Sequence, residues 1–345
     1  MIPIQPLVVV GVDPHADTLA ASGVDAGGVE LFHLEVDNTT EGIEQLIGHV
    51  NGDPVQWAIE GTGTFGRALC DRLLAGGWDV TEVPTRLTGR HRSKAGNSKT
   101  DKGDAQAIAR ASLVDDCAQV SHHPVCETLR ILVTQRKSFV DTQVETVNRI
   151  RARLRELDPD SALTQKRLRS KAVFQGLADL DRDDDADPYK TALRHVIALD
   201  ASNWLTRNDQ IRQLEASMKE NLPASGKALM ELEGIGLIGA ATLVAFTGNI
   251  GRFPTDDHYA SYCGTAPLDA SSGRQQRHRL NRWGNRTLNS VFHTAIITQL
   301  AHRGEAHRYV TRRITENKTK KEAVRAAKRK LNRRVYRTLK QHPLT

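Results

Sequence analysis

The chain has no run approaching the ~20 apolar residues that a membrane-spanning helix needs. Its first residues, MIPIQPLVVVGVD, carry no basic segment ahead of the apolar stretch and pass straight into a strand-like pattern, so a secretory signal is not expected. The four cysteines, Cys70, Cys117, Cys126 and Cys263, form no C-x-x-C pair and no zinc-ligand spacing. Reduced thiols in a cytoplasmic protein are the expectation. No G-x-G-x-x-G follows the first strand-like run, which disfavours a dinucleotide-binding domain. Acidic residues are also scarce at one end. From Ser272 to Thr345 there are 20 lysines and arginines against only Glu305, Glu316 and Glu322, so this stretch is about +17 and the rest about −10. Charge of that density points to phosphate neutralisation. Its apolar periodicity (Val310, Ile314, Val324, Leu331, Val335, Leu339) favours a folded basic surface over a solvated tail.

What is present begins with short β-branched runs, LVVVGVD (7–13), LAASGVD (19–25) and VELFHLEV (29–36). The gaps between them are hairpin-sized, so three antiparallel strands are expected. TEGIEQLIGHV (40–50) sets Ile43, Leu46, Ile47 and Val50 on one helical face. A strand (55–62), a helix (65–77) ending at Gly-Gly and a strand (78–84) follow. This is the element order of an α/β RNase H-like (RuvC-like) domain. TRLTGRHRSKAGNSKT, starting at Thr85, reads as a mobile or nucleic-acid-facing loop, and Asp101 to Val114 as a helix.

Beyond it, Val133, Val140, Val147 and Leu154 repeat every seven residues, with a second stripe at Ile211, Leu214, Met218 and Leu222. Such stripes suit a helical, coiled-coil spacer whose halves pair with each other or with a second chain. DLDRDDDADP (179–188) has six aspartates, but Asp184 stands where a calcium loop needs Gly and Lys190 where it needs Glu. It reads as an exposed acidic insert. Gly234-Ile235-Gly236, ahead of Ala240, Leu243 and Val244, fits a helix-hairpin-helix turn whose backbone amides suit a phosphate. The expected division is a metal-carboxylate domain at 1–120, a spacer with the acidic insert at 121–224, and a mostly α basic domain at 225–345.

Four acids fall where such a fold would gather them. Asp13 follows the first strand, Glu60 ends the fourth beside Gly61, Thr62 and Gly63, and Asp101 and Asp104 share one helical face. Packed together, four carboxylates repel unless one or two Mg²⁺ ions join them. Singly, each is an ordinary surface or helix-start acid. In the basic domain Ser271-Ser272-Gly273 precedes Arg274, Arg277, His278, Arg279, Arg282 and Arg286. A serine hydroxyl becomes a nucleophile only with help, which dense arginines give by orienting a phosphodiester. Ser-Ser-Gly is also a common turn.

The runs EGTGTFGRALCDRLLAGGWDVTEVP, KTDKGDAQAIAR, LEGIGLIGAATLVAFTGNIGRFPT, YCGTAPLDASSG and RLNRWGNRTLN resemble the DEDD-type transposases of bacterial insertion sequences, the IS110 family, which includes Piv-type DNA invertases. The resemblance covers nearly the whole chain. It implies that Asp13, Glu60, Asp101 and Asp104 are the metal-binding acids and that Ser272 is the nucleophile, with Ser271 the neighbouring candidate. It further implies strand exchange between donor and target DNA guided by a structured bridge RNA. Assembly as a homodimer or homotetramer and a location at the bacterial nucleoid follow from it too. Three rivals remain. A metal-only Holliday-junction-type resolvase would leave the serine idle. A sugar kinase or ATPase would need a duplicated domain and phosphate loops. A non-catalytic nucleic-acid-binding protein would not need four acids.

Overall fold

The computed structural model describes residues 9–50, 55–94, 101–115, 117–120, 123–160, 168, 170–180, 187–266, 268–269, 278–279 and 284–344. The chain forms two compact units, Met1–His122 and His123–Thr345.

The first unit is built on β1 (Val9–Pro14), β2 (Thr18–Val24), β3 (Glu30–Asp37), β4 (Gln56–Ile59), β5 (Asp79–Glu82) and β6 (Ala118–Gln119). Their order in the sheet is β3-β2-β1-β4-β5-β6. β1 pairs antiparallel with β2, β2 antiparallel with β3, and β1, β4 and β5 run parallel. The expected antiparallel trio is therefore present, followed by parallel crossovers through α1 (Thr40–His49) and α2 (Arg67–Ala75). β6 is a two-residue antiparallel edge that sequence pattern did not signal.

Side chains of a strand alternate between faces, and here the alternation separates packing from chemistry. Val10 and Val12 of β1, Trp57 and Ile59 of β4 and Val80 of β5 join Leu46, Leu69 and Leu73 from α1 and α2 in one core. Val9 and Ala58 point the other way and pack with Val83, Leu87, Ile108 and Ala109. That second face is covered by α3 (Thr85–Lys94) and α4 (Asp101–Val114).

α3 corrects an expectation, because Thr85–Lys94 is a helix where a mobile loop was anticipated. Its register is set by one buried leucine, Leu87, and by polar contacts of Thr88 and His91. A helix held by a single apolar residue leaves no periodic apolar signal.

The second unit opens with α5 (Pro124–Leu157), followed by α6 (Lys171–Ala178) and α7 (Pro188–Glu220). α5 and α7 are antiparallel partners. Arg136 meets Glu215, Gln143 donates to the Trp204 carbonyl, and Arg149 and Arg153 meet Asp200. Ile150, Leu154, Phe174, Ile197 and Trp204 form the core at one end of this hairpin, where Phe174 stacks on Trp204 at 3.7 Å. So the apolar stripes meet within one chain, although Val140 and Val147 stay half-exposed. The ends of the acidic insert are structural. Asp187 accepts from the Tyr189 amide as the N-cap of α7 at 2.9 Å, ahead of Pro188, and residues 181–186 lie outside those described.

The helical remainder comprises α8 (Ala224–Met230), α9 (Leu237–Thr247), α10 (Asp256–Tyr262), α11 (Arg286–Ala301), α12 (Glu305–Thr315) and α13 (Lys320–Gln341), with a two-stranded pair, β7 (Leu268–Asp269) and β8 (His278–Arg279). Leu243, Val244, Phe292, Ile296, Val310, Leu331 and Val335 close one large core. Among the described residues no helix is long and apolar enough to cross a membrane.

Candidate active site

Val12 of β1 stands opposite Ile59 of β4 in the parallel register, so Asp13 and Glu60 occupy the next position along neighbouring strands. The Glu60 amide donates to the Val12 carbonyl at 3.3 Å, which extends the pairing past the end of β4. Both acids therefore sit at carboxyl ends of parallel strands, where open α/β sheets place ligands. They also share the face of Val9, Gly11 and Ala58, the face that α4 covers.

Gly11 decides how close α4 can come. A Cβ there would fall on the Ala105 carbonyl oxygen and the Ala109 amide nitrogen, and 2.8 Å from the Ala109 Cβ. Because Gly11 lacks that carbon, α4 lies against the backbone of β1 two residues before Asp13. Asp104 precedes Ala105 and is 6% exposed. Asp101 opens the same helix one turn earlier, in the stripe of Asp104, Ala105 and Ile108; its side chain lies outside the described residues.

Local contacts fix the rest of this corner. His15 Nε2 lies 3.7 Å from Asp13 Oδ2. Asn38 donates to the carbonyls of His15 (2.8 Å) and Phe65 (3.0 Å), joining the β1–β2 turn to the approach to α2. Gly61 turns the chain after Glu60 with φ of +70°, a backbone region that suits glycine. Thr88, buried on α3, donates to Glu60 Oε2 at 2.6 Å. Sequence reasoning missed Thr88, although Pro84-Thr85 after a strand is a helix-start signal.

The donor set is carboxylate oxygen throughout, which suits a hard divalent cation such as Mg²⁺. Among the described residues no three His, Cys, Asp or Glu side chains are drawn closely enough to hold a metal ion. The cysteines do not compete for a chemical role: Cys70, Cys126 and Cys263 are buried, and burial pushes the thiols of Cys126 and Cys263 up to about 12.

In the second unit the predicted residues divide. Ser271, Ser272, Arg274, Arg277 and Arg282 lie outside the described residues. Arg279 is in β8, whose backbone pairs it with Leu268, and Arg286 is the exposed first residue of α11. Gly234 has φ of +84°, and a Cβ there would lie 2.6 Å from the Ala295 carbonyl, so close packing on α11 requires glycine whatever its amide binds. Gly236, the N-cap of α9, has open space around it.

The turn at Cys263 and Gly264, after α10, is tied to α11 and α13 by residues that sequence pattern also missed. Asn289 of α11 donates to the carbonyls of Cys263 (3.2 Å) and Gly264 (2.7 Å) and accepts from Lys328 Nζ at 2.9 Å. Lys328 is only 6% exposed, and burial, with Arg325 nearby, lowers its pKa.

Two family models match the chain in the same order as its motifs. Residues 10–159 match the DEDD-type IS110 transposase model, and residues 226–311 match the transposase model of the IS116/IS110/IS902 family. The chain is 25% identical to the uncharacterized 44.8 kDa protein of insertion element IS116 from Streptomyces clavuligerus, over 89% of this chain and 88% of the relative. It is 25% identical to the uncharacterized 42 kDa protein of insertion element IS900 from Mycobacterium paratuberculosis, over 90% and 93%. It is also 24% identical to the transposase of insertion sequence element IS1111A from Coxiella burnetii, over 56% and 53%.

These matches define the class, an enzyme that acts on DNA. The chain belongs to the IS110 family of transposases. Its DEDD domain implies an RNase H-like fold and the use of divalent metal, and the order β3-β2-β1-β4-β5 fits that fold.

Proposed function

We propose that the protein is the site-specific DNA recombinase of an insertion sequence, working through Ser272 and through Mg²⁺ held by Asp13, Glu60, Asp101 and Asp104. The observation that carries this reading is that Asp13 and Glu60 end neighbouring parallel strands on the face that α4 covers with Asp104. Bound there, Mg²⁺ would polarise the scissile phosphate. The Ser272 Oγ attacks phosphorus as its proton is lost to a base. The bond from phosphorus to one deoxyribose oxygen breaks, and that oxygen leaves and is protonated. The diester energy is kept in the serine–phosphate link and is spent when the incoming strand's hydroxyl displaces the serine. Arg274, Arg277, Arg279, Arg282 and Arg286 hold the backbone phosphates, with the amides around Gly234 and Gly236 as a further phosphate contact.

The division into 1–120, 121–224 and 225–345 belongs to this proposal. So do the coiled-coil character of the spacer, the helix-hairpin-helix role of the α8–α9 turn, and nucleoid location. Guidance by a bridge RNA and assembly into dimers or tetramers belong to it as well, as what the resemblance to the family implies.

A suicide DNA substrate provides the test. Wild-type protein is expected to give a denaturant-resistant protein–DNA adduct. Ser272→Ala should lose both adduct and recombinant product while binding DNA nearly as before, since one hydroxyl adds little to contacts made by arginines. Activity lost only in Ser271→Ala would move the nucleophile by one residue. If both variants recombine, the metal-only resolvase reading replaces this one.

A further inference from the structure

The carboxylate corner contains one polar contact that the metal reading leaves unused. Thr88 is 1% exposed, and its hydroxyl donates to Glu60 Oε2 at 2.6 Å. Its position is determined from several sides. Val83 donates to the Ile59 carbonyl at 3.0 Å, continuing the sheet beyond Glu82, and Leu87 donates back to the Pro84 carbonyl at 2.8 Å. Leu87 is buried among Val9, Ala58 and Ile108. One turn after Leu87, His91 Nε2 meets Asp115 Oδ2 at 2.7 Å, tying α3 to the residue that follows α4. The helix carrying Thr88 is thus joined to both the strand end and the helix that bear the acids.

The identity of the donor matters. A buried lysine or arginine on Glu60 would neutralise the carboxylate and compete with a cation for it. A hydroxyl fixes one oxygen and leaves the negative charge in place. Partners of this kind orient ligands in metal sites.

We propose that Thr88 is a positioning residue for Glu60: it holds Oε2 so that Oε1 is the oxygen presented to a divalent cation. This rests on the metal-site reading above, and the test separates the two. Mn²⁺ binding to the full-length protein is measured by calorimetry, alongside the Mn²⁺ concentration that gives half-maximal recombination. Thr88→Val keeps the branched shape and removes the donor; it is expected to weaken Mn²⁺ binding roughly 10- to 100-fold and to raise the half-maximal concentration in step. Thr88→Ser restores a hydroxyl and is expected to stay within a few-fold of wild type, an outcome that a purely packing role for the side chain would not give. Unchanged Mn²⁺ affinity in Thr88→Val, or a Thr88→Ser variant as weak as Thr88→Val, overturns the proposal. Should Thr88→Val fail to fold, Thr88→Ala, which also removes the donor, takes its place with the same two outcomes. Glu60→Gln is the control. If it too binds Mn²⁺ like wild type, the metal reading has failed; if only Glu60→Gln loses binding, the role of Thr88 falls and the metal reading stands.

Discussion

In the first unit the charges at the candidate site are few and their positions follow from backbone regularity. Asp13 and Glu60 sit one step beyond paired positions of β1 and β4, and Asp104 sits on the helix that Gly11 admits. In the second unit the charges are many, and a good share of them is spent on holding helices together. Arg329 and Arg333 of α13 reach Asp256 of α10, and Arg329 also reaches Asp257. Lys330 and Arg334 share Glu305 of α12, while Arg312 and Arg313 flank Glu316. The number of lysines and arginines in this region therefore exceeds the number on offer to a phosphate backbone. A net charge counts residues, whereas a binding surface depends on which of them the fold has already engaged.

Asp13→Asn replaces a side chain that is 16% exposed by one of the same shape without charge. Recombination in Mg²⁺ is expected to fall by at least about 10³-fold, the loss of electrostatic stabilisation worth roughly 4 kcal/mol at the transition state. The melting temperature should hold, because asparagine keeps the size and shape of the side chain. A variant that recombines at the wild-type rate would remove Asp13 from the site.

The next effect is on folding. Gly11→Ala must push α4 away from β1, since the new carbon meets backbone atoms of Ala105 and Ala109 instead of the movable end of a side chain. Overpacking of this kind costs about 3 kcal/mol. Urea unfolding should show that loss, and hydrogen exchange should locate it in β1 and α4 while α5 and α7 keep their protection. Unchanged stability would mean that the α4–β1 contact is looser than its geometry implies.

Much of this was legible in the sequence, for reasons that differ by residue. β1 to β3 announce themselves as short apolar, β-branched runs, and Asp101–Val114 by its helical pattern, so Asp13 and the Asp101/Asp104 spacing could be read directly. Glu60 follows from the end of β4. Thr88 was hidden because α3 has a single apolar anchor, Leu87, among polar residues. Asn289 and Lys328 were hidden because their contact joins α11 and α13, 39 residues apart, and no local pattern encodes it. The α5 and α7 stripes were visible, but a seven-residue repeat alone does not say whether its partner lies in the same chain. The opposed pairs Arg136–Glu215 and Arg149–Asp200 show that it does.

Asp256 is where the engaged charge of the second unit can be released. The Arg333 hydrogen bond, reinforced by Arg329, holds the Asp256 carboxyl below its ordinary pKa of about 4. Because the folded state favours the ionised form, this contribution is complete above the unfolded pKa. It is lost as pH falls through the lower folded value. Asp256→Asn should therefore reduce stability modestly at neutral pH, and the gap from wild type should close on acidification past pH ~4. The two arginines have a second consequence. Released from Asp256, they become available to phosphates, and each new contact steepens the dependence of log K on log salt by at most about 0.9. Asp257 still engages Arg329, so the gain should come mainly from Arg333. Asp256→Asn should then bind DNA more tightly at low salt with a slope up to about one unit steeper, and Arg333→Gln placed in the same background should return the slope to the wild-type value. A slope that does not change in Asp256→Asn would mean that Arg333 faces away from the nucleic acid, and that the binding charge comes from Arg286 and the arginines around Ser272.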